Sequence, residues 1–110
     1  MKLDARPFEA MACGHKIYEL RLYDEKRRTL EVGDIIVFTN NDNGSELKAR
    51  VVELLVYSSF EALYSALPLD KCGYDDGDIA AASPRDMDQY YSVEQQQLYG
   101  VLAIKIDVVQ

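Results

Sequence analysis

Leu47-Lys48-Ala49-Arg50-Val51-Val52-Glu53-Leu54-Leu55-Val56-Tyr57 is the stretch on which the fold turns. Up to Val51 the apolar residues Leu47, Ala49 and Val51 share one parity against Lys48 and Arg50. That period of two marks a strand with one buried face. Beyond Val51 the apolar parity moves to Val52, Leu54 and Val56. A strand that keeps one face buried through such a change needs an extra residue, so the spacing predicts a β-bulge or sharp bend near Val51-Val52. Bulges bend and twist a strand, and a sheet bent in this way curls toward a barrel.

Working outward, Ile35-Ile36-Val37-Phe38 is a strand apolar on both faces and is expected to lie centrally. Asn40-Asn41-Asp42-Asn43-Gly44 joins it to the long strand as a hairpin, with Asn43-Gly44 suited to positive φ. Residues 1–4 read as a short edge strand. Pro7 suits the first turn of a helix whose apolar face is Phe8, Met11 and Ala12, ended by Gly14. Ile17 to Tyr23 alternates Tyr18, Leu20 and Leu22 with Glu19 and Arg21, a strand with one buried face. Downstream, Ser58-Ser59-Phe60-Glu61 resembles a capping box with Ser58 at the N-cap. It opens a helix of Phe60, Leu63, Tyr64 and Leu67 that Pro68 stops. Residues 70–82 read as an acidic loop. Ser83-Pro84 opens a helix with Met87, Tyr90 and Tyr91 on one face, expected to pack into the core, with base stacking as the alternative for the tyrosines. Ser92-Val93-Glu94-Gln95 is a further capping box. Val101 to Val109 closes the chain as a half-buried strand. The expected class is α+β: a small curled β-barrel with helices packed against it and plugging it, in a single domain over residues 1–110.

The chain has 110 residues, 48% of them hydrophobic and 28% charged, which excludes disordered and collagen-like classes. No apolar run approaches the roughly 20 residues of a membrane span. Met1-Lys2-Leu3-Asp4-Ala5-Arg6 lacks the hydrophobic stretch of a signal peptide, so the expected place is the cytosol, with no membrane partner. The formal net charge is −7. Residues 1–55 hold 9 basic and 10 acidic side chains, and residues 56–110 hold 3 and 9. Extended binding to duplex DNA calls for a basic surface, so any nucleic-acid role belongs in a local pocket of the first half. Cys13, Cys72 and His15 are too few for a four-ligand zinc site. No metal or cofactor is expected, and the cysteines read as two indifferent thiols.

The segment Gly14-His15-Lys16-Ile17-Tyr18-Glu19-Leu20-Arg21 concentrates an ammonium, a carboxylate and a guanidinium where a helix ends and a strand begins. Arg21 offers a fork of donors to a carbonyl or phosphate. Glu19 accepts from an amino group, as carboxylates do from cytosine N4. Lys16 holds an anion or, desolvated, acts as a base. The plainer alternative is an exposed ion pair of Glu19 and Arg21 beside a solvated Lys16. Arg27 and Arg28, with Lys26, form a basic cluster on the next loop, a candidate phosphate contact or simply solvated surface. His15 is expected to face water. Thr39 and Asn40 end their strand where they either reach a cleft or serve the turn. Asp75-Asp76-Gly77-Asp78 lacks the final Glu of a calcium loop and reads as solvated.

Gly14-x-Lys16-x-x-Glu19-x-Arg21, then Val32-Gly33-Asp34-Ile35-Ile36-Val37-Phe38 and a final strand introduced by Tyr99-Gly100, resembles the ASCH domain family of the PUA-like superfold, in its small bacterial single-domain form. The resemblance spans roughly residues 1–108. It implies a small β-barrel with a cleft lined by Lys16, Glu19 and Arg21, and an RNA- or nucleotide-binding module. One branch of that family resembles Lys-x-x-Thr-x-Arg and hydrolyses the amide of N4-acetylcytidine, with the threonine hydroxyl as candidate nucleophile. Here Glu19 stands at that position. An amidohydrolase would therefore use Glu19 to activate water, Lys16 to orient or deprotonate, and Arg21 to polarise the carbonyl. A third reading docks a basic protein partner on the acidic second half.

Overall fold

The computed structural model describes residues 1–109. Its strands are β1 (Lys2–Leu3), β2 (Tyr18–Leu22), β3 (Ile35–Asn40), β4 (Glu46–Tyr57) and β5 (Val101–Val109). They form one curled half-barrel sheet in the order β1-β3-β4-β5-β2, with β1 parallel to β3 and the other pairs antiparallel. The predicted parity change is a register shift between Val51 and Glu53, with Val52 as the extra residue. Up to Val51 the inward residues of β4 include Ala49 and Val51; past the bulge Leu54 takes over that side, opposite Ile104. Of the residues expected on that parity only Leu54 packs into the inner cluster; Val52 and Val56 are exposed, and Leu55 packs on the opposite face.

Helix α1 (Ala5–Ala12) covers the inner face through Phe8 and Met11, packed in one cluster with Ile36, Phe38, Leu102 and Ile104. Gly14 follows it at φ +84, its N–H on the Met11 carbonyl, which turns the chain toward β2. Helix α2 (Phe60–Ala66) covers the other face over β2 and the start of β5, where Phe60 and Leu63 meet Tyr18, Leu20, Leu22, Val101 and Ala103. Its cap is Ser59, which accepts from the Ala62 N–H, and not Ser58: the side chain one residue nearer the helix has the reach. The acidic stretch read as loop carries a 3₁₀ turn, Leu69–Cys72, and the short helix α3 (Asp76–Ile79). The next segment is a 3₁₀ turn, Pro84–Gln89, followed by α4 (Val93–Tyr99); both begin with reciprocal capping boxes.

Three strand expectations change. β3 is not buried on both faces: its burial alternates, with Ile36 and Phe38 in the core cluster under α1 while Ile35 and Val37 on the opposite face are 47% and 37% exposed. β5 is buried on both faces from Val101 to Ile104, because it lies between β4 and β2 with α1 on one side and α2 on the other. In the hairpin only Gly44 takes positive φ; Asn40 and Asn43 use their side-chain oxygens to accept from the N–H groups of Asp42 and Ser45. Among the described residues no helix is long and apolar enough to cross a membrane.

Gly100 joins α4 to β5 at φ +73 and ψ −174, and a Cβ there would stand 3.1 Å from the Tyr57 carbonyl oxygen. That backbone region belongs to glycine, and forcing another residue into it costs on the order of 1–3 kcal/mol. Gly100→Ala is expected to lose about that much stability in urea unfolding. A loss below about 0.5 kcal/mol would show that the turn relaxes freely.

Candidate functional site

The curl brings the two sheet edges, β1 and β2, close without joining them through backbone hydrogen bonds. A side chain spans the gap: Arg21 Nη2 on β2 donates to the Lys2 carbonyl on β1 at 3.0 Å. A cleft of about 250 Å³ opens along this seam. Glu19 and Arg21 lie opposite Ile104 and Leu102 in the antiparallel ladder, so both point to the inner face. Lys16 precedes the strand, its backbone N–H on the Ala10 carbonyl and its stem against Gly73, where an added Cβ would come within 3.3 Å of Cδ. All three residues line the cleft.

They form one ion triad, Lys16 and Glu19 buried and Arg21 part-buried. Glu19 is 3% exposed and Lys16 7%. Lys16 Nζ donates to Glu19 Oε1 at 2.8 Å, and Arg21 donates to Oε2 through Nε at 3.1 Å and Nη2 at 2.8 Å. This is not the exposed surface pair of the plainer alternative. Burial pushes the Glu19 carboxyl up, but the two cations and their hydrogen bonds outweigh burial and hold it below the ordinary carboxylate range. Burial pulls the Arg21 guanidinium down, and the Glu19 carboxylate more than restores it. A carboxylate with both oxygens engaged is a weak base and offers little to an incoming amino group.

The opposite wall is aromatic. Tyr90, expected in the core, is 58% exposed and lines the cleft together with Tyr91 and Met87. The 3₁₀ turn Pro84–Gln89 breaks the helical period and leaves Tyr90 exposed at the seam, while Met87 and Tyr91 also pack against the core cluster under α2. Tyr91 is backed by Phe60, with ring centroids 6.2 Å apart and planes 16° from parallel. Burial raises the Tyr91 phenol above its ordinary value against the pull of Arg21. The turn is tethered from behind: Tyr74 donates to Asp86 Oδ2 at 2.7 Å, and its hydroxyl lies 2.7 Å from that of Tyr64.

The remaining candidates lie elsewhere. Arg27 turns to Asp24 at 3.1 Å, and Arg28 reaches the Tyr23 carbonyl and lies over the Tyr23 ring at 4.6 Å. Neither lines the cleft. His15 is half-buried, not solvated, with Nε2 3.3 Å from the Tyr74 carbonyl oxygen. Asn40 is buried in its turn, while Asn41 reaches the cleft. Asp75 and Asp78 pair with Arg6. Cys13 is exposed; burial pushes the Cys72 thiol up to about 11. No group of three or more His, Cys, Asp or Glu side chains among the described residues has a metal-holding arrangement. The motif reading missed Asp4 and Asn41, which reach the cleft because β1 pairs with β3 across the chain, Leu3 opposite Asn40.

Residues 1–110 match the sequence pattern of the ASCH domain. The chain is similar over 99% of its length to the whole of a crystal structure, that of the hypothetical protein PH0355, at 33% identity and a TM-score of 0.78. It is similar over its full length to 99% of the solution NMR structure of protein PF0455 from Pyrococcus furiosus, at 30% identity and a TM-score of 0.71. No curated protein matches it.

Glu19→Gln leaves the buried Lys16 and the part-buried Arg21 without their anion, and breaking a buried ion pair in this way costs about 3–5 kcal/mol. The folded carboxyl lies below its ordinary value of 4.5, so its contribution is complete above that pH. It is lost as pH falls through the folded value. Urea titrations from about pH 7 to about pH 3 should show wild type and variant far apart at neutral pH and converging below about pH 4.5. A gap independent of pH would mean that the carboxylate charge is not what stabilises the site.

Proposed function

The chain belongs to the ASCH domain family, a PUA-like domain often linked to RNA binding, and on that premise we propose that the seam cleft binds one nucleotide-sized unit, free or at the exposed end of a single strand. The Lys16–Glu19–Arg21 triad on the cleft floor carries this reading. A buried ion cluster is a poor way to stabilise a fold, since well-packed apolar residues serve as well or better. Its position under a cavity fits a preorganised set of donors for carbonyl or phosphate oxygens. Glu19 holds the two cations in place from beneath. Tyr90 and Tyr91 offer ring faces for a base to stack on, the usual means of holding an unpaired base.

Size and charge support the same scale of ligand. The roughly 250 Å³ of the cleft lies just below the roughly 300–1,000 Å³ of pockets for drug-sized ligands. One nucleoside is nearer its capacity than a folded RNA element. The net charge of −7 disfavours a long phosphate track. Lysine, glutamate and arginine in an amidohydrolase would need Glu19 as the base for water, and its two oxygens are engaged by Lys16 and Arg21.

Calorimetric titration with nucleoside monophosphates and short single-stranded oligoribonucleotides tests the proposal. Tyr90→Ala removes an exposed ring and should leave the fold intact while weakening binding about tenfold, the low end for one stacked base. Arg21→Lys keeps the charge but loses the fork, and a comparable loss is expected. Unchanged affinity in both variants overturns the assignment. Chromatographic conversion of N4-acetylcytidine to cytidine, abolished by Lys16→Ala, would replace binding with catalysis.

A further inference from the structure

Asp4 stands at the N-cap of α1, yet its side chain makes no cap hydrogen bond among the described residues. An N-cap carboxylate ordinarily accepts from the N–H of the second or third helical residue. Here the third is Pro7, which has no N–H to give. The exposed carboxylate lines the cleft, where Asn41 Nδ2 reaches Asp4 Oδ1 at 3.4 Å. Asn41 is itself held by its backbone N–H on the Leu3 carbonyl at 2.8 Å. Both residues line the cleft, and among the described residues this contact leaves Asp4 Oδ2 as an uncommitted acceptor and one Nδ2 proton of Asn41 as a donor. Glu19, the other carboxylate lining the cleft, is neutralised by two cations.

We infer that Asp4 and Asn41 form a reading edge that selects bases presenting an amino donor next to a ring-nitrogen acceptor, the pattern of cytosine and adenine. The inference rests on the cleft being a nucleotide site. Uracil and hypoxanthine present the reversed order, an oxo acceptor next to a ring N–H, and set their carbonyl against the Asp4 carboxylate. A well-placed pair of contacts to a base edge discriminates by about 1–3 kcal/mol, tenfold or somewhat more.

The test compares cytidine with uridine monophosphate, and adenosine with inosine monophosphate, on wild type and on Asp4→Asn. Asparagine is an equally good N-cap and keeps the side-chain size, so the fold is preserved. Wild type is expected to favour the amino-bearing member of each pair about tenfold. The variant should bring each pair within about twofold, through weaker binding of the amino-bearing member. A preference that survives unchanged in the variant overturns the inference. Equal binding of both members by wild type overturns it and leaves the cleft assignment standing. Failure of all four to bind overturns both.

Discussion

A carboxylate buried to 3% exposure between a lysine and an arginine is the constraint around which this domain is arranged. Such a group survives in the interior only if its partners are placed to hydrogen-bonding accuracy. Three separate elements meet that demand. The end of α1 fixes the Lys16 backbone, the ladder with β5 turns Glu19 and Arg21 inward, and Gly73 leaves room for the lysine stem. Arg21 then does a second job, since the guanidinium that neutralises Glu19 also reaches the Lys2 carbonyl across the open seam. Fold and site thus share one side chain.

The seam follows from the bulge. A flat five-stranded sheet would hold β1 and β2 far apart at its two edges, with no cleft between them. The extra residue at Val52 increases the curl until the edges face each other, but β1 has only two residues and cannot complete a ladder. The gap is filled by polar side chains on one side and by Tyr90 and Tyr91 on the other. Open backbone edges are ordinarily a hazard for aggregation. Here they are narrowed by the arginine bridge and walled by the tethered turn Pro84–Gln89.

Local patterns carried much of this. The parity change at Val51-Val52, the alternation of Tyr18, Leu20 and Leu22, and the capping box at Ser92 are set by neighbouring residues, and each is visible in a short window. What was illegible depends on contacts distant in sequence. The burial of β5 on both faces requires α2, whereas β3 has only its α1 side packed in a core cluster. Of the expected helical stripe, Met87 and Tyr91 pack against the second core cluster while also lining the cleft, but the 3₁₀ turn breaks the helical period and leaves Tyr90 exposed at the cleft. Arg27 and Arg28 looked like neighbours of the motif, yet the turn at Arg27–Thr29 directs them to Asp24 and Tyr23. Asp4 and Asn41 are 37 residues apart and meet only through a parallel strand pair.

The residue at position 19 sets what the cleft floor can do. A threonine between this lysine and arginine would leave two positive charges uncompensated and place a hydroxyl within reach of a bound carbonyl, the makings of a nucleophilic site. Glutamate reverses both properties. It cancels one charge internally, leaving a floor of net charge about +1 whose donors are held in fixed directions. Its own oxygens, engaged by three donor contacts, are poorly placed to attack or to take a proton. Any acceptor role then falls to a carboxylate elsewhere on the rim, and Asp4 is available because the proline three residues on has removed one of its ordinary partners. The same glutamate that gives the floor no hydroxyl nucleophile also fixes the directions of its donors, which supports the recognition role proposed for the cleft.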